Sequence, residues 1–165
     1  MGLGGTVERK GKTVTLVLSR QNLPRLEKNQ GREEFNRGAY IVFKEEKERP
    51  DMVLVASGSE TMSLAVETGN FLKKKNISFR VVSIPDREEF LSQDERYIEN
   101  ILGPKDVLRA VIEVNKGQDW YQLLKEEYLA IFMETFDKSA PGKEVADYFG
   151  FSPRKIADKI MEMVL

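Results

Sequence analysis

The chain has 165 residues, a formal net charge of -1, and 41% hydrophobic and 32% charged residues. That is enough for one domain with a sizeable core plus a short extension, and it gives no electrostatic case for nucleic acid or an anionic membrane as partner. Cysteine and histidine are both absent, which excludes disulfides, a thiol nucleophile, the usual near-neutral general base and the commonest zinc ligands, and is compatible with the cytoplasm.

In chain order, Thr13 to Leu18 reads as a buried strand that stops at Ser19-Arg20-Gln21-Asn22-Leu23-Pro24. A buried strand needs neighbours on both sides, and the Gly-rich start Met1 to Gly5 supplies none. Residues 1–24 are therefore expected to be the remnant of another domain, with the strand disordered, repacked or paired with another molecule. Residues 25–38 form a charged linker, and residues 39–165 a second domain. Tyr40 to Phe43 is a strand. Met52 to Ala56 is a continuous apolar run, read as a central strand. Ser57 and Glu60 have the spacing of a capping box, which predicts a helix start. Met62, Ala65, Val66, Gly69 and Leu72 then form one buried stripe. Lys73 to Lys75 is the solvated last turn, and Asn76 the stop.

Phe79 to Ile84 is the next strand, ended by Pro85. Residues 86–102 make one or two short surface helices anchored by Phe90, Leu91, Tyr97, Ile98, Ile101 and Leu102. Val107 to Val114 is a strand, Trp120 to Lys125 starts a short helix, and Leu129 to Met133 is a strand. Ser139-Ala140-Pro141 opens a helix that closes at Gly150. Ser152-Pro153 caps the last helix, whose apolar face is Ile156, Ala157, Ile160, Met163 and Val164. Alternating strands and helices predict an α/β domain. No run approaches the ~20 apolar residues of a membrane span.

Three segments together resemble transketolase: Ser19-Arg20-Gln21-Asn22-Leu23-Pro24, Pro50-Asp51-Met52-Val53-Leu54-Val55-Ala56-Ser57-Gly58-Ser59-Glu60, and Thr135-Phe136 with Ser139-Ala140-Pro141 and Tyr148-Phe149-Gly150-Phe151. Arg37-Gly38-Ala39-Tyr40, Arg80-Val81-Val82-Ser83 and Gln93-Asp94 are smaller matches. Order and spacing hold from about Thr6 to Leu165. The sequence departs from the family at Asp137, at Glu113-Val114-Asn115 and at Lys125-Glu126-Glu127, all in turns. The resemblance implies the C-terminal domain of that family preceded by the last strand of its middle, pyrimidine-binding domain. Its fold would be three layers, α/β/α, around a five-stranded, mostly parallel sheet with Tyr40 to Phe43 antiparallel. It further implies a parent that transfers a two-carbon ketol unit between sugar phosphates, uses thiamine diphosphate and magnesium, and is a homodimer. The cofactor and metal sites and the family's catalytic histidines lie upstream of the matching region. No catalytic, cofactor or metal residue is therefore expected in this chain, which alone would be inactive and would support domain packing and dimerisation.

Arg20 follows a strand end, where α/β folds place ligand contacts, and a guanidinium there can grip a phosphate with two parallel hydrogen bonds. Read alone, it is first of all a charged residue capping a strand; the resemblance turns the reading to substrate-phosphate binding. Gln21 and Asn22 are read as holding a tight turn. Ser57-Gly58-Ser59 offers backbone amides to an anion, or Ser57 and Glu60 satisfy those amides themselves. Ser139 has no histidine to activate it and is read as a helix cap. Trp120, Tyr121 and Phe136 are read as core or interface. Two rivals remain: the C-terminal subunit or module of a split enzyme, and an independent anion-binding domain.

Overall fold

The computed structural model describes residues 32–114, 120–121, 128–132 and 147–164. The strand read at Thr13 to Leu18, Arg20 to Asn22, Phe136 and Ser139 lie outside the described residues. Within the segment read as a linker, Arg32–Asn36 forms a short helix, α1.

Five strands make one sheet: β1 (Tyr40–Phe43), β2 (Met52–Ala56), β3 (Phe79–Ser83), β4 (Leu108–Glu113) and β5 (Leu129–Phe132). Their order is β1-β3-β2-β4-β5. β1 runs antiparallel to β3, while the β2–β3, β2–β4 and β4–β5 pairs are parallel. The sheet is thus the mixed one that the sequence led us to expect, with Tyr40–Phe43 as its antiparallel edge.

β2 is apolar throughout, and β3 and β4 are mostly so, because both faces of the sheet are covered. All five residues of β2 and of β3 are buried, as expected for parallel strands between helical layers. Met52, Leu54 and Ala56 point to one layer with Met62, Ala65, Leu72, Ile156 and Ile160. Val53 and Val55 point to the other with Phe90, Tyr97, Ile101 and Trp120. The first layer is α2 (Ser59–Lys73) and α5 (Pro153–Val164); the second is α3 (Arg87–Leu91) and α4 (Glu95–Leu102).

The stripe read on α2 is buried at Met62, Ala65, Gly69 and Leu72. Gly69 is required by its neighbour, since a Cβ there would stand 2.1 Å from the Phe79 ring. Phe79 in turn stacks on Phe43 at 4.8 Å. The α2 stop at Asn76 is also observed. Asn76 has φ +64, its N–H donates to Lys73 O at 2.9 Å, and Ile77 N–H donates to Leu72 O at 3.2 Å. This paired closure is the Schellman arrangement, with asparagine taking the left-handed position.

Two expectations need correction. The capping box is not formed: the N-cap of α2 is Gly58, at φ 88 and ψ 160, with no side-chain capping bond. The chain turns at Gly58 in a conformation that L residues rarely adopt. The helix therefore starts one residue late, and Ser57 and Glu60 fall out of capping register. Met163 is 61% exposed and does not join the core, because the face of α5 that packs runs through Ile156, Ala157, Ile160 and Met161.

The charged region after β3 resolves into two helices, each with its own aspartate cap. Asp86 Oδ1 accepts from Glu89 N–H at 3.0 Å, and Asp94 Oδ1 accepts from Tyr97 N–H at 2.9 Å. Ser152 directly precedes α5, and its carbonyl accepts the Ile156 N–H at 3.0 Å. Pro153 occupies the first helical position, where its missing N–H costs nothing.

Candidate functional site

In an open α/β sheet, ligands favour the crevice outside the carboxyl ends of the strands, where successive connections leave to opposite faces. Here that point lies between β2 and β4. β2 leads into α2 on one face, and β3 leads into α3 and α4 on the other.

The groups at this crevice are engaged with one another. The Thr61 hydroxyl donates to Ser57 O, with Gly58 O at 3.2 Å as a second acceptor. Thr61 is 2% exposed. Glu113 Oε1 accepts from the Val114 N–H at 2.9 Å. Ser57 is half-buried and Gly58 exposed. The junction read as a possible anion site therefore has a helix N-terminus and a glycine turn. It has no cationic side chain bonded there among the described residues.

A larger concavity, of about 650 Å³, runs along α4. Its walls include Arg37, Glu45, Arg80, Arg96, Tyr97 and Gly103. Its most buried charges are already spent. Arg80 and Glu45 form a buried pair in which the two side chains are 9% and 3% exposed. Arg80 Nε donates to Glu45 Oε2 at 2.7 Å, and Arg80 Nη2 donates to Glu45 Oε1. Arg80 Nη1 donates to Asn100 O at 2.7 Å and Ile101 O at 3.2 Å. Arg109, on the next strand but one, donates to Leu102 O, Gly103 O and Pro104 O at 3.1 to 3.3 Å.

These two arginines therefore close the carboxyl end of α4. That helix has no basic residue in its own last turn, so charge from β3 and β4 meets its carbonyls and the negative end of its dipole. Burial alone would raise the Glu45 carboxyl, but hydrogen bonds from Arg80 and the local backbone, with the Arg80 and Lys44 charges, hold it below its ordinary value. The concavity is bounded by structural ion pairs, and its polarity follows from helix termination.

Of the aromatic residues noted in the sequence, Trp120 is fully buried, with the Arg87 guanidinium 4.8 Å from its ring centre, while Tyr121 is 55% exposed. Sequence reading missed Arg80, Arg109 and Glu45 as a unit. The only signal was the presence of arginines inside otherwise apolar strands.

Among the described residues no group of three or more His, Cys, Asp or Glu side chains could hold a metal ion. No helix among them is long and apolar enough to cross a membrane.

Comparison with known proteins identifies this architecture. Residues 38–152 match the transketolase-like TK C-terminal domain family. The chain is 32% identical over 158 residues to a transketolase of Aquifex aeolicus, covering 94% of this chain and 23% of that protein. It thus spans about a quarter of that relative's length. Among solved structures, a Pichia stipitis transketolase in complex with sedoheptulose-7-phosphate superposes with a TM-score of 0.75 at 31% identity, over 87% of this chain and 20% of the other. A split gene transketolase, solved as an inactive beta4 tetramer, has the same fold with a TM-score of 0.62 at 18% identity, over 87% of this chain and 47% of that one.

Proposed function

Because the chain belongs to the transketolase C-terminal domain family, we propose that it serves as that domain within an enzyme transferring a two-carbon ketol unit between a ketose phosphate and an aldose phosphate. The observation that carries this reading is the family match over residues 38–152 on the same five-stranded mixed sheet. The parent would be a cytoplasmic homodimer using thiamine diphosphate and a divalent metal such as magnesium. The described residues offer no donor set for that metal, so no step through the cofactor is assigned to them.

The chain's contribution on this reading is mechanical. Residues 1–24 would complete the sheet of the preceding pyrimidine-binding domain, residues 25–38 would connect, and residues 39–165 would pack against the rest of the parent and support dimerisation. Arg20 would stand at the substrate channel and grip the sugar phosphate through paired hydrogen bonds.

The test is ketol transfer from a ketose phosphate to an aldose phosphate, with thiamine diphosphate and magnesium supplied. The chain alone should give no turnover. The chain plus a separately made upstream portion should give turnover, and Arg20→Ala in that assembly should raise the KM for sugar phosphate about tenfold or more. Turnover by the chain alone would overturn the mechanical reading.

A second reading is a separate C-terminal subunit of a split enzyme, favoured by the fold shared with the split gene transketolase. The native polypeptide size, read with an antibody to this chain, separates the two. A band near half a whole transketolase supports the split enzyme, and a full-length band removes it.

A further inference from the structure

Two of the motifs singled out in the sequence, Arg37 to Tyr40 and Gln93-Asp94, take no part in the proposed chemistry. The fold brings them together. Arg37 Nε donates to Gln93 Oε1 at 2.9 Å, and Arg37 Nη2 donates to Asp94 Oδ2 at 3.4 Å. The Arg37 guanidinium carbon stands 3.3 Å from the centre of the Tyr97 ring. The Tyr97 hydroxyl donates to Ala39 O at 2.8 Å, and Asp86 N–H donates to Gly38 O at 3.2 Å. Gly38 has φ +85, and a Cβ there would lie 2.4 Å from Asp86 O. Three successive residues are thus held by residues at the starts of α3 and α4: Asp86 on Gly38, Asp94 and the preceding Gln93 on Arg37, and Tyr97 on Ala39.

We propose that Arg37 to Ala39 is a latch that fixes the direction of α1 relative to the sheet, and that Arg37 is its positioning residue. The significance for a parent enzyme rests on the function proposed above. The latch itself concerns only described residues, so its failure would leave that reading standing.

Within the latch, the Arg37 side chain stands outside the core. Arg37 and Asp94 are 40% and 67% exposed on their side chains, whereas Gly38 and Ala39 are buried beneath them. α1 joins the latch through backbone bonds from Arg37 N–H to Glu33 O and Glu34 O and from Gly38 N–H to Phe35 O. It adds a tilted contact between Phe35 and Tyr40 at 6.2 Å. Releasing Arg37 removes the stacked guanidinium and its fork, while the strands keep every ladder bond. Local opening of this kind needs less free energy than global unfolding.

The chain has no cysteine, so nitroxide labels at Glu33→Cys and Glu67→Cys report one distance across α1 and α2. In the parent sequence the distance distribution should be a single narrow peak. Arg37→Ala should lose that peak, and should speed amide exchange at residues 34–38 about tenfold while β2, β3 and β4 keep their protection. Arg37→Lys keeps the charge but neither the fork nor the stacking, and should behave like Arg37→Ala. Gln93→Ala, which leaves the Asp94 cap intact, should broaden the peak to a lesser degree. A narrow peak in Arg37→Ala would overturn the proposal. So would equal loss of protection in the strands, or failure of Arg37→Ala to fold, because each would make Arg37 part of the core.

Discussion

Two helix ends in this domain are closed by opposite means. α2 stops on its own backbone: Asn76 turns left-handed and two N–H groups return to Leu72 and Lys73. α4 stops on borrowed charge: Arg80 and Arg109 reach its carbonyls from two strands, and Glu45 balances Arg80 from the loop after β1. The first closure is local, and a reader of the sequence can see it. In the second, Arg80 joins residues 20 and 35 positions away, a closure that exists only once the sheet has formed. The contrast teaches where sequence foresight ends: at groups whose partners are chosen by topology.

The largest test of this contrast is Arg80→Met. It strands a buried carboxylate and two helix carbonyls, and should cost about 3–5 kcal/mol in urea denaturation. Replacing Glu45 by leucine in the same chain should recover much of the loss, since the penalty lies in the unpaired charge. A cost below 1 kcal/mol, typical of an exposed pair, would erase the difference between the two ends.

The pH dependence sharpens the same point. The Glu45 carboxyl titrates below its ordinary 4.5 in the folded chain. Its stabilisation is therefore fully present above that value and disappears as pH falls through the lower, folded-state value. Thermal melts from neutral pH downward should show this loss, and Arg80→Met should shrink it. An identical acid slope in both proteins would show that other groups govern acid unfolding.

At the local end the effects are smaller. Asn76→Val puts a branched side chain at φ +64 and should cost about 1–2 kcal/mol, whereas Asn76→Gly should be neutral or slightly stabilising. Smallest of these is Asp94→Ala, which removes the α4 N-cap for about 1 kcal/mol. It should leave the carboxyl-end closure untouched, as read by exchange at Leu102 and Gly103.

The strands and the stripe on α2 were legible because parallel strands between two layers are predominantly apolar, and because one helix face must meet them. Tyr40–Phe43 as the antiparallel edge came from the family resemblance. The helix start at Ser57 was misplaced because propensity favours serine as a cap, while the turn out of β2 needed the conformation of Gly58. Met163 was misplaced because the packed face of α5 turns through Ile160 and Met161 and leaves Met163 on the outer side. Arg20 and Ser139 fall on residues whose structure is not described.

The chain has a single tryptophan, and Trp120 is packed entirely in the α3–α4 layer beside Arg87. Its emission is therefore a built-in optical reporter for one half of the sandwich. Far-ultraviolet dichroism draws on both halves, with α2, the longest helix among the described residues, on the other side. Coincident urea curves by the two signals would show that the sheet couples its layers into one cooperative unit. An early fluorescence transition would instead mark the α3–α4 layer as the one that loosens first.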